Sequence, residues 1–140
     1  MADTFDAGKF GAVIAIPFIF SNATTGMTNS DLTFGGGAGT LFTAPAAGSV
    51  VGISARSNTA LTAGSVTLLT HAAGTEHTDS GAPSAVVDAT NQGSYGTVRP
   101  GAVTFAAGGT LGLSLTTTTT LDPTDSADVD AVLFVQLNAS

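Results

Sequence analysis

The chain has no cysteine and no tryptophan, and only two histidines and three basic residues among its 140 positions. Without cysteine there are no disulfides, no thiolate nucleophiles and no cysteine-ligated zinc. The basic residues, Lys9, Arg56 and Arg99, are scattered, and against one glutamate and nine aspartates they leave a formal net charge of −7. Nucleic-acid binding rests on several Lys or Arg contacts to phosphates, and an anionic membrane surface attracts clustered basic residues. Neither is expected as a partner. The longest apolar run, Gly11 to Phe20, contains Pro17 and falls well short of the roughly 20 residues of a spanning helix. Asp3 and Asp6 precede it, where a secretory signal carries positive charge. Synthesis in the cytoplasm without a signal peptide is the expectation.

What the chain does have is 43% hydrophobic residues, 18 glycines and many alanines and threonines, with only 9% charged residues. Ordinary soluble domains carry about 25% charged residues. So neutral a chain is either very compact or presents uncharged surface to partners. Its length suits one domain with a substantial core.

Residues 1–10 (MADTFDAGKF) show no sustained period and read as an N-terminal arm; residues 11–140 read as a single domain. Gly11 to Phe20 alternates, with Ile14, Ile16, Phe18 and Phe20 on one face, and Pro17 places this strand at an edge or a bulge. Further strands are expected at Leu32 to Phe34, Thr40 to Thr43, Ser49 to Ser57, Ser65 to His71, Ser84 to Ala89, Ala102 to Phe105, Thr110 to Thr119 and Ala127 to Leu137. In Ser49 to Ser57, alternation groups Val51, Ile53 and Ala55 on one face and Val50, Gly52, Ser54 and Arg56 on the other. Ala72 to Pro83 and Asn91 to Pro100 read as long loops. No helical apolar period of useful length occurs. Short strands separated by Gly/Pro turns imply an all-β, antiparallel β-sandwich, a jelly roll of about eight strands.

Candidate chemistry is sparse. His71, Glu76, His77 and Asp79 offer a metal or acid/base cluster, but a catalytic zinc takes three matched protein ligands, and solvated loop residues are the plainer reading. Asp122, Asp125, Asp128 and Asp130 offer oxygens for Ca²⁺. Their spacing is not that of an EF-hand, and a turn whose aspartates hold local amides explains them as well. Gly35 to Gly37 lacks the lysine of a phosphate-binding loop and reads as a turn. Asn22-Ala23-Thr24 and Asn138-Ala139-Ser140 match the glycosylation sequon only formally. No nucleophile, base and orienting group assemble, so no catalytic residue, cofactor or metal is assigned and no enzymatic activity is expected.

The apolar pattern is more informative. In the last strand Val129, Ala131, Leu133, Val135 and Leu137 form one face, while Val132 and Phe134 make part of the other apolar too. Val13, Ala15 and Ile19 do the same in the first strand. Such double-sided strands are central or covered by something further. The cover is either the N-terminal arm or a loop, or a subunit interface, for which Phe5, Phe10, Ile19, Val132 and Phe134 are the candidates.

The stretch FTAPAAGSVVGISARSNTALTAGSVTL (Phe42 to Leu68) has a Phe-x-Ala-Pro-x-x-Gly turn, a Val-Gly-Ile-Ser strand and a Leu-Thr-Ala-Gly turn. PGAVTFAAGGTLGLSLTTTTTLDPTDSADVDAVLFVQL (Pro100 to Leu137) adds a Phe-x-Ala-Gly turn, a Leu-Gly-Leu strand and a final apolar strand. Together they resemble the head decoration (cement) proteins of tailed bacteriophages. The resemblance implies a virion structural protein, a homotrimer on the outer surface of the capsid that binds the major capsid protein and stabilises the head, with no catalytic residues. Related jelly-roll modules occur in tail fibres and spikes. Under that alternative the chain is a receptor-binding knob, with Asn91, Tyr95 and Arg99, beside Gln92, as ligand-loop candidates.

Overall fold

Period-two alternation in the sequence becomes strands and nothing else. The computed structural model describes residues 12–34, 39–72 and 82–138, with no helix among them. The strands are β1 (Val13–Ala23), the two-residue pieces β2 (Ser30–Asp31), β3 (Thr33–Phe34) and β4 (Phe42–Thr43), then β5 (Gly48–Ser57), β6 (Ser65–Ala72), β7 (Ser84–Asp88), β8 (Gly93–Thr97), β9 (Thr104–Phe105), β10 (Thr110–Thr117) and β11 (Ala127–Leu137). They form two antiparallel sheets. The first runs β3-β1-β11-β5-β8, with β9 also on β5; the second runs β2-β10-β6-β7, with β4 also on β10.

The sheets share one core. Ile16 and Phe18 of β1, Val129, Ala131, Leu133 and Val135 of β11, and Val50, Ile53 and Ala55 of β5 supply one side. Leu111, Leu113 and Leu115 of β10, Val66 and Leu68 of β6, and Ala85 and Val87 of β7 supply the other. Each is a residue whose strand neighbours point away from the core, so the buried set follows the pleat.

Four departures from simple alternation have local causes. In β5 the register against β11 slips between Phe134↔Gly52 and Val135↔Val50. Val51 is the extra residue of this bulge, so Val50 is buried and Val51 is only half-buried, the reverse of the expected grouping. The expected strand at Leu32 to Phe34 is instead a crossing point. β2 pairs with β10 in one sheet and β3 with β1 in the other, while Leu32 between them is buried and its amide donates to the Leu113 carbonyl at 2.9 Å. The segment read as the loop Asn91 to Pro100 contains β8, paired with β5 over Gly52↔Thr97 to Arg56↔Gly93. Its glycines hide the alternation. The first strand also begins later and ends later than expected, with a register shift between Phe20 and Ala23.

Both open sides of the sandwich are closed by close contacts. On one, Phe34 of β3 stands edge-on between Phe18 of β1 and Phe42 of β4, with ring centroids 5.8 and 5.9 Å apart. On the other, a Cβ on Gly96 of β8 would collide with the Ser84 carbonyl oxygen of β7, so only glycine lets the two edge strands approach this closely.

Pro17 sits where its missing N–H is harmless. The Leu137 amide donates to the Ala12 carbonyl at 2.8 Å, and the register is unbroken from Val13 to Phe20. Even-numbered residues therefore bond to β11, while Val13, Ala15 and Pro17 point their amide positions outward. β3 flanks this outer edge at Phe18 and Ile19.

Two substitutions test this packing by denaturant unfolding. Leu113→Ala, at a fully buried position, is expected to cost about 2–5 kcal/mol, and Gly96→Ala roughly 1–3 kcal/mol by overpacking. Val86→Ala, on the outer side of β7, is the control and should change stability by under about 0.5 kcal/mol.

Candidate functional site

The outer face of the first sheet gathers the interface candidates that the structure describes. Reading across the register, Ala15, Phe134, Gly52 and Thr97 form one row. Pro17, Val132, Ser54 and Tyr95 form the next, and Ile19, Asp130, Arg56 and Gly93 the third. The face thus grades from apolar, on β1 and β11, to polar, on β5 and β8. Val13 is 59% exposed and Ile19 38%, while Val132 and Phe134 are half-buried among their neighbours. A shallow groove of about 390 Å³ runs between β1 and β11, lined by Pro17, Phe18, Ile19, Thr33, Asp130, Ala131 and Val132. The structure therefore brings Ile19, Val132 and Phe134 onto one surface. Phe5 and Phe10 lie outside the described residues, as does the rest of the arm.

The polar half of this face has a different character. Tyr95 projects from the middle of β8 and is 77% exposed. The Arg56 guanidinium lies across Gly93, with Nη1 3.5 Å from where a Cβ there would stand. Asp130 accepts a hydrogen bond from Asn58 Nδ2 at 2.6 Å.

The ligand-loop candidates are divided by this geometry. Tyr95 is on the sheet face, Asn91 belongs to the turn before β8, and Arg99 follows β8. In that turn the Asp88 carboxylate accepts from the Thr90 and Asn91 amides at 2.9 and 2.7 Å. Gln92 is a structural clamp: its Oε1 accepts from the Leu61 amide at 3.1 Å, and its Nε2 donates to the Leu61 carbonyl at 3.2 Å. Leu61 is thereby held in the core.

His71 is no loop residue. It lies in β6, 3% exposed, on the outer side of the second sheet. Its ring covers Gly112 of β10 so closely that a Cβ there would stand 2.6 Å from Cε1 and Nε2. Nε2 is 3.8 Å from Asp31 Oδ1 on β2. Glu76, His77 and Asp79 lie outside the described residues, and so does the Gly35 to Gly37 turn.

The aspartates before and within β11 have separate engagements. Asp122 Oδ2 accepts from the Thr62 hydroxyl at 2.7 Å, Asp128 Oδ1 from the Asn22 amide at 2.9 Å, and Asp130 from Asn58. Asp125 holds a left-handed conformation at φ 63°, its amide donating to the Ala23 carbonyl. Among the described residues, no group of three or more His, Asp or Glu side chains is placed to hold a metal ion. Asn22 of the first sequon is exposed at φ 59°; the second runs beyond the described residues.

Periodicity located the doubly apolar strands but not the clamp by Gln92 or the burial of His71, because both depend on partners distant in sequence.

Neither a protein-family model nor a curated protein matches the chain. Among solved structures it is similar to a chain of the cyanophage Pam1 capsid asymmetric unit, with a TM-score of 0.52 and 16% identity. The match covers 98% of this chain and 93% of that one. At that identity the likeness is one of fold, and it runs the length of the chain.

The clamp and the aspartates give two expected outcomes. Gln92→Ala, which leaves the Leu61 amide and carbonyl without their partners, should lower unfolding free energy by about 1–3 kcal/mol. A chelator should leave the thermal midpoint unchanged; a fall in the midpoint would mean that a cation bridges the Asp122–Asp130 segment.

Proposed function

We propose that this protein is a bacteriophage virion structural component without catalytic activity: a decoration protein that assembles as a homotrimer on the outer capsid surface and stabilises the major capsid protein lattice. The single observation that supports it most is the likeness of fold to a phage capsid chain over 98% of this chain. The strand order adds to it. The paths β1-β11-β5-β8 and β2-β10-β6-β7 are what two interleaved Greek keys produce, so we read the sandwich as a jelly roll, a fold common in viral capsids.

The surface chemistry is consistent with such a role. A particle surface repeats one contact many times, so each can be weak and still hold in sum. A sparsely charged exterior with few long flexible side chains loses little conformational entropy on forming such contacts.

Purified protein should sediment as a trimer and bind particles that lack it at micromolar concentration, with several hundred copies retained per particle. A monomer that does not associate, or a handful of copies per virion, would instead favour a tail component.

A further inference from the structure

We propose that the groove between β1 and β11 receives a lysine or arginine side chain presented by the capsid surface, its stem on Pro17, Ile19 and Val132 and its cation at Asp130. The proposal rests on the virion reading above, and adds to it the docking surface and the chemistry of what docks there.

The groove has the form such an occupant needs. Pro17, Ile19 and Val132 give it apolar walls, and Asp130, opposite Ile19 in the register, supplies the charge in its lining. Its volume of about 390 Å³ is at the low end of the roughly 300–1,000 Å³ of ligand pockets. That suits one long side chain rather than the face of a helix. Lysine and arginine lay their methylene stems along apolar surface and keep the charged head at the rim. A purely apolar side chain leaves the carboxylate unanswered, and an acidic one is repelled.

The carboxylate is available to a cation. Asn58 Nδ2 donates to its Oδ2 at 2.6 Å, which leaves Oδ1 for a partner. Arg56 faces Asp130 across the register, yet its guanidinium lies over Gly93 on the far side. No ion pair joins the two among the described residues.

The surrounding charge has the same sign. Asp128 precedes Asp130 on the outer face of β11, and its Oδ1 accepts from the Asn22 amide, beyond Ile19 on β1. Asp125 adjoins Ala23 at the end of β1. Arg99 lies past Thr97, at the opposite end of β8 from Gly93. In a chain of net charge −7, this field draws a cation in and turns an anion away.

Binding of the purified protein to particles that lack it tests the proposal, comparing the unmodified chain with Asp130→Asn and Ile19→Ser. Asp130→Asn keeps an oxygen for Asn58 and removes only the charge. It should raise the apparent Kd about tenfold or more, and added salt should weaken its binding less steeply, because one screened ion pair is gone. Ile19→Ser should weaken binding with the salt dependence unchanged; should it unfold the domain, Asp130→Asn decides alone. Equal binding by Asp130→Asn and the unmodified chain overturns the proposal and leaves the virion reading standing, as when the chain's own N-terminal segment fills the groove. Loss of the trimer in Asp130→Asn also overturns it, by assigning the groove to a second copy. Failure of the unmodified protein to bind the particles removes both readings.

Discussion

The last strand must lie between the first and the fifth. β11 is bonded to β1 along one edge and to β5 along the other, so the first sheet has no continuous middle until the end of the chain is in place. Its inner residues Val129, Leu133 and Val135 are fully buried, and they can be so only with β10 and β6 opposite. The domain is therefore built from pairings across more than half of the chain, with loop closure preceding most of the gain from burial. The same position explains why β11 is apolar on two faces. A strand flanked on both edges has only its outer face left to meet solvent, and its middle is further shaded by neighbouring side chains.

Much of this was legible in the residues. Alternation located β1, β5, β6, β10 and β11 and grouped the faces of β1 and β11, since a half-buried strand has no other way to sort its side chains. It failed where one residue changed the count or where glycine removed the signal. The bulge at Val51 reverses the pattern for one residue and restores it at Ile53. β8, Gly-Ser-Tyr-Gly-Thr, has no inward hydrophobe to announce it, because Gly96 serves the approach to β7 rather than the core. The segment around Leu32 reads as one strand but is two, since a chain stepping between sheets keeps its extended form.

The candidate surface was legible in part. Ile19, Val132 and Phe134 were found because an apolar residue on the wrong face of a strand stands out in a sequence. That they adjoin one another, and that Tyr95 and Arg56 share their face, required the register. Conversely, Gln92 and His71 had the residue types of a site and proved to be parts of the framework, one holding the Leu61 backbone and the other packed on Gly112. Polar type alone does not distinguish a ligand from a brace.

Pro17 carries a consequence for life at high density. Along the stretch of β1 from Val13 to Pro17, a neighbouring molecule seeking to prolong the sheet finds only two amides facing it, at Val13 and Ala15, before the row stops. Sparsely charged and rich in β-branched residues, this chain would otherwise present a longer edge for run-on stacking of the kind that ends in fibrils. One imino acid at the rim interrupts that row of donors.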